Sequence, residues 1–84
     1  MIVNLYSIYD LKAGVYNTIF TQLNDSVAHR SFVHLIKDKD STISSSPEDY
    51  VLYCVGTFDD CKGFIDNSSD YPRIVVDGKS FLSE

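Results

Sequence analysis

One stretch decides the fold of this chain, and it runs Leu5-Tyr6-Ser7-Ile8-Tyr9-Asp10-Leu11-Lys12-Ala13-Gly14-Val15-Tyr16. Aromatic and β-branched residues predict a strand over residues 2–9. Both of its faces carry bulky side chains, a pattern typical of a strand in the centre of a sheet. Residues 10–14 supply a turn, because Gly14 adopts positive φ freely. A second strand is predicted over residues 15–21, and the rest of the chain is expected to fold back onto this hairpin.

A helix is predicted over residues 25–37. Asn24 or Asp25 can cap its first free N–H groups. Asp25 near the start and Lys37 near the end both suit the helix dipole. The inward stripe follows the i, i+3, i+4, i+7, i+8 spacing of a buried helix face, and it consists of Ala28, Ser31, Phe32, Leu35 and Ile36. We therefore expect this helix to cover one face of the sheet.

Residues 38–49 are polar and rich in serine, which favours a flexible polar loop. Residues 50–58 then predict a strong strand, bulky on both faces. A turn at residues 59–63 leads into a return strand that begins with Phe64.

A short fifth strand is an option at residues 73–76, and residues 77–84 are expected to form a frayed tail. The element order is β-β-α-β-β. That order predicts an α+β fold with a small, mainly antiparallel sheet and one helix packed on one face. Residues 1–84 are expected to form a single domain.

The charge balance bears on which partners the chain can bind. Twelve acidic residues face seven basic ones, for a net charge of −5. This balance works against nucleic-acid binding, which needs clustered Lys and Arg, although a local basic patch can lie on an acidic protein. No secretory signal is visible and no apolar run approaches the roughly 18 residues of a membrane span. We therefore expect a soluble, intracellular protein that does not contact a membrane.

Catalytic and metal-binding constellations are missing from the sequence. His29 and His34 would lie about 140° apart around the helix, so they do not form one site. Asp59 and Asp60 fit a turn better than a cation site, because too few other oxygen ligands lie nearby. Cys54 and Cys61 suit free thiols in a reducing cytoplasm. We predict no catalytic residues, no metal and no cofactor, and hence no enzyme.

One basic stripe emerges from the helical periodicity. Arg30, His34 and Lys37 have i, i+4, i+7 spacing and lie opposite the apolar face. The pattern fits either a solvated helix face or a contact with single-stranded DNA. In the second case Lys12 would add a charge and Tyr9 would stack on a base, at about 1–3 kcal/mol per base.

Three segments have the order and spacing of a known family. They are the opening stretch over residues 5–16; Asn24-Asp25 with Ala28, Arg30 and Phe32; and Pro47-Glu48-Asp49-Tyr50 with Leu52-Tyr53 and Gly56-Thr57-Phe58-Asp59-Asp60. Together they resemble the small nonstructural protein of gokushoviruses, which are single-stranded-DNA phages of the microvirus group. The chain departs from that pattern at residues 17–20, Asn-Thr-Ile-Phe, where relatives tend to carry Gly-Pro-Pro-Phe. A more regular second strand is therefore predicted here.

The resemblance implies a nonstructural phage protein in the cytoplasm of the bacterial host. By analogy within the microviruses, it implies binding of single-stranded DNA and help in the switch from genome replication to packaging. The alternative is a dimeric protein–protein adaptor that contacts capsid or host replication proteins without binding DNA. A homodimer is expected in either case, because one helix leaves the other face of a bulky sheet uncovered. The second copy would cover this face or pair with an edge strand.

Overall fold

The computed structural model describes residues 1–81 of the chain. Its strands are β1 (Ile2–Asp10), β2 (Val15–Tyr16), β3 (Phe20–Gln22), β4 (Tyr50–Asp59), β5 (Phe64–Asp66) and β6 (Arg73–Asp77). Its α-helices are α1 (Asp25–Lys37) and the short α2 (Thr42–Ser45), and two 3-10 helices cover Pro47–Asp49 and Gly78–Phe81. The predicted α+β class with one main helix is confirmed.

The sheet is antiparallel and four strands wide. β1 and β4 pair along their whole length in the centre, with Ile2 opposite Asp59 and Asp10 opposite Tyr50. β2 and β3 both pair with the outer side of β1, while β5 and β6 both pair with β4. Each outer strand is thus broken into two pieces, and the predicted central position of β1 is confirmed.

The two hairpins turn in the same way. Asp10 Oδ1 accepts hydrogen bonds from the backbone N–H groups two and three residues later, and Asp59 Oδ1 does the same. Four residues after each aspartate stands a glycine with positive φ, 72° at Gly14 and 68° at Gly63. The turns lie where the sequence predicts them, because an aspartate acceptor and a left-handed glycine are local signals.

The second strand is less regular than predicted. Tyr16 pairs with Tyr9 and Phe20 pairs with Tyr6, so three residues, 17–19, face only two on β1. The extra residue prevents a continuous ladder, as in a β-bulge. Ser7 Oγ instead donates to the carbonyl oxygen of Asn17 at 2.6 Å. The prediction of a regular strand over residues 15–21 is therefore wrong.

Helix α1 covers one face of the sheet, as predicted. The side chain of Asn24 caps the helix by accepting from the Val27 N–H at 3.0 Å. The core lies between α1 and this face and consists of Tyr6, Ile8, Ala28, Phe32, Ile43, Leu52 and Cys54. Burial of these side chains fixes which side of α1 faces solvent.

Residues 38–49, predicted as a flexible polar loop, instead contain α2 and the first 3-10 helix. Ser41 Oγ accepts from the Ile43 N–H at 3.1 Å and so caps α2. Ile43 is the one large apolar side chain of the segment, and it is buried in the main core. A single anchor and a serine cap are enough to order a segment whose composition is polar.

The predicted frayed tail over residues 77–84 is also more structured than expected. Asp77 ends β6, and residues 78–81 form the second 3-10 helix, which packs against the first. Gly78 is buried at this contact, where a side chain would collide with the backbone carbonyl oxygen of Pro47. Residues 82–84 lie outside the described residues.

A polar network ties α1 to two strands. The Tyr6 hydroxyl donates to Asp25 Oδ1 at 2.7 Å and accepts from Asn4 Nδ2 at 2.9 Å. The Arg73 guanidinium donates two hydrogen bonds to the same carboxylate, with N–O distances of 2.8 and 3.2 Å. The Arg73 hydrogen bonds lower the pKa of Asp25, while burial and the bond to Asp25 raise the pKa of Tyr6 to about 12.

The raised pKa of Tyr6 predicts a loss of stability at alkaline pH. The folded chain keeps the Tyr6 proton until about pH 12, whereas an unfolded tyrosine loses it near 10. The stabilisation is complete below pH 10 and is lost as pH rises through 12, and the loss is on the order of 2 kcal/mol. Urea unfolding at pH 8 and pH 12 checks this, with Tyr6→Phe as the control. Tyr6→Phe should be less stable at pH 8, by about 1 kcal/mol, but should lose less stability on going to pH 12. Equal losses in the two proteins would contradict the prediction.

Candidate nucleic-acid interface

The basic stripe, defined as Arg30, His34 and Lys37, lies on the solvent side of α1. All three residues are exposed, on the side of the helix away from the buried Ala28 and Phe32. Within residues 1–81, the ion pairs are Met1 with Asp60 and Arg73 with Asp25, so none involves the stripe. Its two permanent cations are therefore available to an anionic ligand.

An open cleft of about 350 Å³ runs between α1 and β3, beside the stripe. We call it the α1–β3 cleft, and its lining residues are Phe20, Gln22, Ser31, His34, Leu35 and Asp38. Ser31, His34 and Leu35 have i, i+3, i+4 spacing on α1, and Asp38 is the C-cap residue of that helix. The two strand residues are two apart. These periods place each group on one side of its own element. His34 belongs to both the stripe and the cleft.

Two hydrogen bonds fix polar groups of the cleft. Gln22 Nε2 donates to Ser31 Oγ at 3.2 Å, and Asp38 Oδ1 accepts from the Asp40 backbone N–H at 3.0 Å. These bonds leave two side-chain oxygens as acceptors for a ligand, Oε1 of Gln22 and Oδ2 of Asp38. Phe20 is half-buried and stacks on the Tyr6 ring, with 5.9 Å between centroids.

The opposite face of the sheet carries a tyrosine cluster, defined as Tyr9, Tyr16 and Tyr53. Tyr9 pairs with Tyr16, and Ser7 pairs with Tyr53, so all three tyrosines lie on the face away from Tyr6. Ring centroids are 4.6 Å apart for Tyr9 and Tyr16, 5.6 Å for Tyr16 and Tyr53, and 6.3 Å for Tyr9 and Tyr53. Partial burial and the neighbouring phenols raise the pKa of Tyr16.

This uncovered face is almost free of charge. The strand pairing places on this face Val3, Leu5, Ser7, Tyr9, Tyr16, Thr21, Val51, Tyr53, Phe58, Ile65 and Ile74. Leu5, Ser7 and Val51 are already buried in the single chain, whereas Tyr16, Ile65 and Ile74 are exposed. Asp77, opposite Val51 at the edge, is the one charged residue that the pairing adds among the described strands. Such a face offers phosphate groups no cation along its strands.

The structure therefore divides the five predicted DNA-binding residues into two groups. Arg30, His34 and Lys37 lie on α1, whereas Tyr9 lies on the other side of the sheet. Lys12 is exposed in the turn that joins β1 and β2, the strands of Tyr9 and Tyr16. The expected stacking of a base on Tyr9 beside the basic stripe does not fit this arrangement. Phe20 on β3 lines the same cleft as His34 of the stripe, and no pattern in the sequence identifies it as a candidate.

The remaining candidate residues have structural partners. Asp59 Oδ1 accepts a backbone hydrogen bond within its turn. Asp60 accepts a hydrogen bond from the amino group of Met1 at 2.7 Å, which lowers the pKa of the Asp60 carboxyl. Cys54 is buried and Cys61 is exposed, and both are free thiols. The His29 ring lies 5.9 Å from that of Phe81, and His29 does not line the cleft that His34 lines.

Helix length is relevant to any membrane contact. Within the described residues, no helix is long and apolar enough to span a bilayer.

Comparison with known proteins places this arrangement in a family. A family model described as "Phage ORF5 protein" matches residues 3–81, which span both hairpins, α1 and the second 3-10 helix. No curated protein and no solved structure gives a significant match. The family match agrees with the phage origin that the three segments of sequence imply. Because the match covers nearly the whole chain, this protein belongs to the Phage ORF5 protein family.

Proposed function

We propose that this phage protein is a gokushovirus nonstructural protein that binds single-stranded DNA through the solvent side of α1. It would act in the cytoplasm of the bacterial host and assist the switch from genome replication to packaging. The observation that carries the proposal is the juxtaposition on α1 of exposed cations with an open cleft that contains an aromatic ring. Neither an enzymatic activity nor a cofactor is part of this role.

Electrostatics restricts how such binding works. With a net charge of −5, the whole chain does not attract phosphate over long distances. Affinity must therefore come from local contacts to Arg30 and Lys37 and from stacking. Asp38 and Asp40 follow the stripe directly and weaken its local potential.

Replacing Arg30 and Lys37 together by alanine is expected to weaken binding of single-stranded DNA and to flatten its salt dependence. Each lost phosphate contact removes about 0.7 from the slope of log K against log salt, or about 1.4 for both. Fluorescence anisotropy of a labelled oligonucleotide at several salt concentrations measures both effects.

The matched control is Lys62→Ala with Lys79→Ala. It removes the same charge from the turn after β4 and from the second 3-10 helix, and neither residue belongs to the stripe or lines the α1–β3 cleft. Equal effects of the two double variants would contradict a site on the stripe. Absence of binding by the wild-type protein at low salt would overturn the proposed function itself.

A second candidate is the dimeric adaptor, and the uncovered face favours it. Tyr is enriched at protein interfaces, and charged residues are depleted from their centres. The tyrosine cluster on a nearly uncharged face has both properties. In this role the face would bind a second copy of the chain, and the assembly would contact capsid or host replication proteins without DNA.

A further inference from the structure

We propose that the α1–β3 cleft holds one base of a bound DNA strand and prefers bases with an exocyclic amino group. This inference rests on the proposed function and assigns a role to residues outside the basic stripe. Cytosine is the base that it fits most directly, because its amino group is a donor where thymine has a carbonyl oxygen.

The shape of the cleft suits one planar ring. Its volume of about 350 Å³ lies at the lower end of the 300–1,000 Å³ that is typical of small-molecule sites. Phe20 on β3 and Leu35 on α1 supply apolar surface from both sides. A base lying against an aromatic ring gains stacking energy whatever its identity.

The polar groups of the cleft provide the preference. An ionised carboxylate accepts hydrogen bonds and donates none. Asp38 Oδ1 already accepts a hydrogen bond from the Asp40 N–H, so Asp38 Oδ2 is the acceptor for a ligand in the cleft. The side-chain oxygen of Gln22, Oε1, is the second acceptor. An exocyclic amino group donates hydrogen bonds to these acceptors. Thymine has a carbonyl oxygen at the position of the cytosine amino group, and this oxygen would place another acceptor against them. Asp38, unfavourable for phosphate, is thus favourable for the base.

The stripe completes the site by holding the backbone on both sides of that base. Arg30 and Lys37 lie one turn before and one turn after His34, which lines the cleft. The two cations are separated by roughly 10 Å along the helix axis. A strand that crosses α1 with one base in the cleft brings its neighbouring phosphates towards these two side chains.

The test compares oligo-dC with oligo-dT, each about 12 nucleotides long, a length within the 4–16 nucleotides that single-strand sites typically cover. The wild-type protein is expected to bind oligo-dC about 2–10-fold more tightly, the range of one net hydrogen bond. Asp38→Asn should bring this ratio close to 1, because the new amide donates to a thymine carbonyl as well. Asp40→Asn is the matched control, since it removes the same charge two residues away from the cleft and should keep the ratio.

Asp40→Asn is expected to bind both oligonucleotides more tightly than the wild-type protein, and Asp38→Asn to bind oligo-dT more tightly, because each variant loses a negative charge near the stripe. For Asp38→Asn with oligo-dC, the loss of the base contact opposes this gain. Only the dC to dT ratio separates a base contact from this general effect. Binding without a preference for oligo-dC, or equal ratios in the two variants, overturns the cleft assignment and leaves DNA binding in place. No binding of either oligonucleotide by the wild-type protein overturns the proposed function as well.

Discussion

Replacing Phe32 with alanine is expected to lower the free energy of unfolding by about 3–5 kcal/mol, the usual cost of removing a buried phenylalanine side chain. Phe32 is 1 % exposed and lies on the inward side of α1. Its ring centroid is 6.2 Å from that of Phe81, so it contacts the second 3-10 helix as well as the sheet. Alanine would leave a cavity where α1, the sheet and the second 3-10 helix meet.

The control is Phe64→Ala, which deletes the same atoms from a side chain that is 63 % exposed. A surface change of this kind is expected to alter stability by about 0.5 kcal/mol or less. Urea unfolding of both variants measures the difference. Because a domain of this size is stabilised by roughly 4–13 kcal/mol in all, Phe32→Ala removes a large share of the total. Similar losses in the two variants would contradict the described packing of α1.

The elements that sequence predicts correctly are those with local signals. Helix α1 has a cap, a stripe of apolar residues and a favourable charge at each end, all within 14 residues. The two hairpin turns carry an aspartate and a glycine four residues apart, and β1 and β4 are long and bulky on both faces. These features need no knowledge of the rest of the chain.

The elements that sequence misses depend on distant partners. Ile43 is ordered by a core formed from both halves of the chain, and Gly78 fits only because Pro47 approaches it closely. Arg73 meets Asp25 across 48 positions in the sequence. Neither composition nor periodicity contains such pairings, so a polar segment with one good anchor is predicted to be a loop.

The sequence likewise predicts one part of the candidate site, the basic stripe, but not the aromatic residue beside it. Helical spacing predicts the basic stripe, and its three residues are exposed together. Strand alternation places Tyr9 and Tyr6 on opposite faces of β1, as the pairing shows. Both faces of β1 are bulky, however, so alternation does not tell which face the helix covers. The sequence therefore allows Tyr9 as the stacking partner of the stripe, whereas in the structure α1 packs against the side of Tyr6.

The uncovered face leads to the second prediction with a large effect, a homodimer that separates when a charge is placed among the tyrosines. In a symmetric dimer the same patch lies on both partners, so each charge near the axis approaches its own copy. A chain with a net charge of −5 avoids this repulsion only where its surface is nearly uncharged. The face of Tyr9, Tyr16 and Tyr53 is such a surface, and it offers amphipathic rings that suit an interface.

Light scattering at tens of micromolar is expected to give twice the 9.5 kDa mass of one chain. Tyr53→Lys should reduce this to the mass of one chain, because the interface would then bury two unpaired ammonium groups. His34→Lys adds a positive charge on α1, on the opposite side of the sheet, and should remain dimeric. A circular dichroism spectrum like that of the wild-type protein would show that each variant is folded. A wild-type mass of one chain would contradict the dimer and leave the face to a different protein, while a dimeric Tyr53→Lys variant would place the dimer contact on another surface.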